Sequence, residues 1–92
     1  MIEFEWNPAK AEMNLRKHQV GFQEAATVFR DPLSITIFDP DHSEDEDRFI
    51  LLGISFSLRV LVVCHCYREN DRVVRIISAR KADKREEEDY WS

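Results

Sequence analysis

The sequence predicts a small α+β domain. Its order is β-α-α-β-β-β-β-α, with a mainly antiparallel twisted sheet, two N-terminal helices on one face and a C-terminal helix. Two observations carry this. In "GFQEAATVFRDP", Phe22, Ala25, Ala26 and Phe29 recur at i, i+3, i+4, i+7, the stripe of an amphipathic helix. Between residues 33 and 79 the pattern changes to short runs rich in β-branched residues, separated by polar turns. The chain has 92 residues, too few for a second core, so a single domain over 1–92 is expected.

The elements follow in order. "IEFEW" (2–6) alternates and reads as a short strand. Asn7 is a helix cap and Pro8 suits the first helical position, where no amide hydrogen is needed. That helix is expected to run to about His18. The second ends at Asp31-Pro32, since the residue before proline disfavours helix. "LSITIF" (33–38), "RFILLGIS" (48–55), "RVLVVCHCY" (59–67) and "RVVRIISA" (72–79) read as strands, with "DPDHSEDED" a polar loop. Asp83 with Glu86 three residues on is a capping box that opens the last helix.

Composition excludes several classes. Only two glycines and three prolines argue against disorder. No apolar run reaches the roughly 18 residues of a membrane span, and the N-terminus lacks the basic and apolar regions of a secretory signal. The expectation is a cytoplasmic chain without membrane contact. Cys64 and Cys66 lie two apart on one strand, cannot pair there, and read as reduced core thiols. The net charge of −5 opposes simple nucleic-acid binding. Yet "DPDHSEDED" and "EEED" hold six and four of the 18 acidic residues, so a local basic site is compatible with the total.

Strand register decides which side chains share a face. A two-residue turn at Asn70-Asp71 sets Glu69 opposite Arg72, a favourable pair. Phe56-Ser57 is taken to close the earlier hairpin, with Ser55 opposite Leu58. One face then carries Phe49, Leu51, Val60, Val62, Cys64, Cys66, Val73, Ile77 and Ala79, with Arg75 an awkward member. The other carries Arg48, Arg59, His65 and Arg80 around an apolar centre, with His65 opposite Arg48. A slip of one residue in either hairpin would break this arrangement.

Arginines with a histidine on one sheet face suit metal-free cleavage of RNA. Guanidinium groups bind phosphate oxygens in pairs and stabilise charge growing at phosphorus. Histidine moves a proton near neutral pH. The competing reading pairs Arg48 and Arg80 with the acidic loop and the "EEE" run. Lys10, Asn14 and Lys17, at helical spacing, are either contacts to an RNA backbone or a solvated helix face. "CHC" at 64–66 is not a metal site, because His65 points away from both cysteines on a strand. No metal or cofactor is expected. No phosphate-binding glycine loop, serine nucleophile elbow or zinc-protease signature is present.

"WNPAK" (6–10), "NLRKH" (14–18), "FQEA" (22–25), "DRFILLG" (47–53) and "RIISARKA" (75–82) resemble the BrnT family over nearly the whole chain. The resemblance implies a RelE-like fold and a ribonuclease toxin of a bacterial type II toxin–antitoxin pair that blocks translation. It implies a BrnA-like ribbon-helix-helix antitoxin as partner and operator DNA reached only through that antitoxin. The family pattern includes Lys10, Asn14, Lys17, His18, Glu24, Arg48, Gly53, Arg59, Arg75, Arg80, Glu86 and Tyr90. On this basis Arg48, Arg59, His65 and Arg80 are the expected catalytic residues. Lys10, Asn14, Lys17, Arg75 and Tyr90 are the expected RNA contacts. Gln19 replaces the usual glycine after "KH", and Glu87 and Glu88 stand where basic residues are usual. The alternative is a non-enzymatic partner-binding module that assists repression. Growth arrest on expression without a partner, relieved by alanine at Arg80, separates the two.

Overall fold

The computed structural model describes residues 2–92. The elements are β1 (Glu3–Glu5), α1 (Pro8–His18), α2 (Phe22–Thr27), β2 (Ile35–Asp39), β3 (Arg48–Ile54), β4 (Val60–Arg68), β5 (Val73–Lys81) and α3 (Lys84–Trp91). This is the order read from the sequence. Short 3-10 turns cover Val28–Arg30 and Pro40–His42. The five strands form one sheet in the order β1-β5-β4-β3-β2, antiparallel throughout except for the parallel β1–β5 pair.

The helix signals work as the sequence indicates. Asn7 Oδ1 accepts from the N–H groups of Ala9 (2.9 Å) and Lys10 (3.1 Å). The Asp83–Glu86 capping box is complete. At the end of α1, Gln19 takes the left-handed conformation (φ 57°) and its N–H returns to Leu15 O, the position where glycine carries no steric cost.

One face of the sheet packs beneath α1 and α2. Its core is Val20, Phe22, Ala25, Val28, Leu51, Leu61, Val63, Val74, Ile76 and Ala79. On the other face, α3 lays Tyr90 over Leu52, Val60 and Val62. Asn14 ties α1 to the sheet: its Nδ2 donates to Val20 O (3.0 Å) and Ala79 O (2.8 Å), and its Oδ1 accepts from Ala79 N (3.1 Å). Gly53 lies under the 3-10 turn, where an added Cβ would sit 2.8 Å from Val28 Cγ1 and 3.0 Å from Asp31 Oδ2.

The register corrects the sequence reading at two points. The β4–β5 turn is as expected near its tip, with Arg68 opposite Val73 and the Arg72 N–H on Glu69 O. A β-bulge then intervenes: Cys64 pairs with Ser78 but His65 with Ile76, leaving Ile77 as the extra residue. The β3–β4 hairpin is closed by three residues, not two. Ser55 N–H bonds to Arg59 O, and Leu58 adopts a positive φ of 62°. Neither Phe56 nor Ser57 favours the conformations of a two-residue turn, and the longer loop removes that strain.

These two slips have opposite effects on β5. Beyond the bulge they cancel, so Arg80 remains on the face of Arg48. For β4 only the hairpin slip applies, and its side chains exchange faces. Leu61, Val63 and His65 turn toward the helices; Val60, Val62 and Cys64 turn toward α3.

Candidate active site

The sheet face on which α3 packs, beyond the part that helix covers, holds a cleft of about 260 Å³ lined by Asp39, His42, Arg48, Ile50, Val62, Cys64, Ile77, Ser78 and Arg80. Arg48 stands at the start of β3, directly opposite Asp39 of β2. Arg80 approaches from β5, opposite Val62 of the intervening β4. The twist and the bulge thus bring two guanidinium groups from non-adjacent strands to one hollow.

Their electrostatic surroundings differ. Arg80 forks onto Glu86: Nη1 meets Oε1 at 2.8 Å and Nη2 meets Oε2 at 2.9 Å. This pairing raises the pKa of Arg80 and holds the Glu86 carboxyl below its ordinary value. The same Glu86 Oε1 accepts from Asp83 N (2.9 Å), so one carboxylate caps α3 and binds the arginine. Arg48 has no such partner among the described residues. Its Nε is buried without a hydrogen bond from any described residue. A buried orphan donor is uncommon in native proteins and calls for a ligand or a water.

At the rim, His42 Nδ1 lies 2.8 Å from Asp39 Oδ2. Asp39 Oδ1 also accepts from Asp41 N (3.2 Å), and Ser43 Oγ donates to Asp39 O while accepting from Arg48 N (3.0 Å). The histidine ring is exposed (67%), whereas the Asp39 side chain is only 11% exposed. The sequence reading placed this segment in a polar loop and missed the pair. The available signal was Asp-Pro-x-His, where a 3-10 turn brings positions i and i+3 together.

The structure does not bring His65 to the cleft, contrary to the expected shared face. It is fully buried among Phe29, Phe49 and Tyr67 on the helix side, and burial pushes its imidazole pKa down. The physical cause is the three-residue hairpin, which rotates β4. Arg59 turns the same way. Its Nε donates to Glu24 Oε2 (3.0 Å), its Nη2 pairs with Oε1, and Nη2 also reaches Gln19 O (3.1 Å). Arg59 therefore clamps α2 and the end of α1 to the sheet, and it depresses the Glu24 pKa.

The expected RNA contacts separate likewise. Lys10 and Lys17 line a second groove of about 460 Å³ with Met13, Arg16 and His18 on α1. Ile77 and Ser78 line both hollows, so the bulge joins the basic helix to the arginine cleft. Asn14 edges that groove but is buried, with its amide engaged in the clamp to Ala79. Arg75 lies between the bulge and the β4–β5 turn and pairs with Glu5 at 2.7 Å. Tyr90 is 7% exposed and its hydroxyl donates to Asp31 Oδ2, away from the cleft. Burial, then that bond, pushes its pKa up to about 12.

Cys66 contacts Glu46 and Cys64 borders the cleft, while His65 lies on the opposite face. Among the described residues, no group of three or more His, Cys, Asp or Glu side chains is placed to hold a metal ion. No helix among them is long and apolar enough to cross a membrane.

A compact mixed sheet with two helices on one face, a third on the other, and a cleft lined by two arginines defines a small α+β class. The model of the family described as "Ribonuclease toxin, BrnT, of type II toxin-antitoxin system" matches residues 6–86. The chain belongs to this BrnT family of ribonuclease toxins. Among solved structures it is similar to the ribonuclease toxin BrnT of Brucella abortus, with a TM-score of 0.66 and 17% identity over 91% of this chain and 100% of that one. At that identity the likeness shows a common fold. The comparison with curated proteins gave no match.

Proposed function

We propose that the chain is a metal-independent endoribonuclease that blocks translation in the bacterial cytoplasm. The scissile phosphate lies between Arg48 and Arg80, and the flanking backbone follows Lys10 and Lys17 along α1. The 2′-hydroxyl attacks its own phosphorus, and the guanidinium groups stabilise the developing charge, the role a metal would otherwise take. The observation that carries this reading is the buried, unpartnered Nε of Arg48 in a cleft shared with Arg80. Purified protein should cleave RNA in excess chelator and leave 2′,3′-cyclic phosphate ends. Arg48→Ala should abolish the activity. Cleavage that disappears with chelator and returns with a divalent ion refutes the metal-independent form.

A ribbon-helix-helix antitoxin of BrnA type covers the cleft face in this reading, and operator DNA is bound only through it. Support comes from Ile35 and Ile37, which are exposed on β2 beside half-buried Ile50. Such a patch next to paired cations fits a protein partner. Co-expression with the antitoxin should yield a stable complex that binds operator DNA, whereas the toxin alone should not bind it.

One observation favours the second reading, a partner-binding module without catalysis. Glu86 occupies the Arg80 fork that a phosphate would need. Harmless expression in bacteria without the antitoxin, with complex formation intact, would select the module.

A further inference from the structure

We propose that His42 is the general base of RNA cleavage and that Asp39 is its positioning residue. This rests on the ribonuclease reading above.

The proposal starts from a hydrogen bond that fixes a tautomer. A carboxylate only accepts, so the 2.8 Å contact between His42 Nδ1 and Asp39 Oδ2 requires the proton on Nδ1. The lone pair of a neutral ring is then left on Nε2. No hydrogen bond from the described residues engages Nε2, and the exposed ring leaves it open to solvent. Asp39 is itself held on both oxygens, by His42 and by the Asp41 N–H. It is also tied to the sheet through its pairing with Arg48. A short 3-10 turn, opened by Asp39 as cap and Pro40 as first residue, supplies the angle between the two side chains. His42 and Arg48 therefore border one cleft. This is the base-and-orienter geometry of nucleophilic sites, built here beside a phosphate grip.

Asp41, Glu44, Asp45 and Glu46 line a hollow together with His42 and Arg48. Of the two cleft arginines, Arg48 has an Nε free of hydrogen bonds from the described residues, which leaves it available to the phosphate.

The step balances. His42 Nε2 takes the proton of the 2′-hydroxyl as the O2′–P bond forms. The P–O5′ bond breaks, and the departing 5′-oxygen takes a proton from water. Nothing is oxidised or reduced. The imidazolium keeps its Nδ1 proton, donated to Asp39 Oδ2, and returns the other to solvent.

The test measures cleavage of a short RNA by the parent chain, His42→Ala, Asp39→Asn and Arg48→Ala. A 2′-deoxy analogue, which has no nucleophile, reports binding. His42→Ala should fold normally, bind the analogue within about threefold of the parent, and cleave about 100-fold or more slowly. Imidazoles added to His42→Ala should restore cleavage, with rates that rise with the basicity of the added imidazole. A structural role would give no such dependence. Asp39→Asn should keep His42 but lose rate, because the amide can donate and so favour the wrong tautomer. His42→Ala cleaving at the parental rate while Arg48→Ala is inactive overturns the assignment and leaves the ribonuclease reading standing. A defect that no imidazole rescues also overturns it. A parent chain that cleaves no RNA overturns the ribonuclease reading, and this proposal falls with it.

Discussion

Arg80→Ala separates the two roles that converge on one side chain. In the folded chain its fork holds Glu86 through two bonds of 2.8 and 2.9 Å. The side chains are 44% and 29% exposed, so solvent screens much of the attraction. Such a pair contributes about 0.2–1 kcal/mol. Removing Arg80 does not orphan the carboxylate, because Glu86 still accepts from Asp83 N in the capping box. The loss therefore stays near or below about 1 kcal/mol, a Tm decrease of roughly 8 °C at most in a domain this small. A phosphate contact made in the transition state has a larger effect. Its loss costs about 2.7–4 kcal/mol, on the order of a hundred- to a thousandfold in rate. Thermal melting and RNA cleavage by the same preparation decide the matter. Arg80→Lys should melt near the parent yet stay well below it in activity, since an ammonium cannot form the fork. Glu86→Gln should tighten RNA binding by up to about fivefold, because it weakens a competitor for that fork. A fully active Arg80→Lys would refute phosphate gripping. So would an Arg80→Ala whose activity per folded molecule is unchanged.

Asn14→Ala leaves the Ala79 peptide group and Val20 O without their partner, and should destabilise by about 3 kcal/mol. Urea denaturation checks the loss, and RNA affinity per folded molecule should stay unchanged if Asn14 is a clamp alone. Gly53→Ala drives a methyl against Val28 and Asp31 and should cost about 1–3 kcal/mol by overpacking, read as a lower Tm. Glu24 and Glu46 are held below their ordinary carboxyl values mainly by Arg59 and Arg68, as Glu86 is by Arg80. Depressed carboxyls lend stability above their unfolded values and lose it as pH falls through the folded ones. Acid unfolding should therefore set in below the ordinary glutamate value of 4.5, and Glu24→Gln should flatten that limb. Tyr90 has the opposite sign. With its pKa raised to about 12, stability should be full below the ordinary tyrosine range and decline as pH rises toward that value, tracked by tyrosinate absorbance.

Element boundaries were legible because their signals are local. Asn7-Pro8, the Asp83–Glu86 box and the β-branched runs act within one turn or one strand. Strand pairing was less legible. Glu69 opposite Arg72 was readable, because cross-strand charge selects between two turn lengths. The Phe56–Leu58 loop was not, since no residue there declares itself. Leu58 has a positive φ without the glycine or asparagine that usually announces one. The bulge at Ile77 carried no signal either, as an extra apolar residue in an apolar strand looks like any other. These two features moved Arg59 and His65 off the expected face while keeping Arg48 and Arg80 together. Asn14, conversely, looked like part of a polar helix face and proved to be a buried clamp.

The class of fold, the order of elements, their caps and the concentration of acid in two segments are all legible along the chain. So are the residues by which the chain resembles its family. Each follows from interactions between neighbours in the chain. Which cations share a cleft and which are held by carboxylates depends on contacts between residues far apart in the chain. Arg59 meets Glu24 across 35 positions, Arg75 meets Glu5 across 70, and the cleft joins residues from four strands and a turn. Side chains alternate with a period of two along a strand, so a single inserted residue reverses every face beyond it. Chemistry that depends on a shared face is therefore decided by the least marked positions in the sequence, the loop and the bulge.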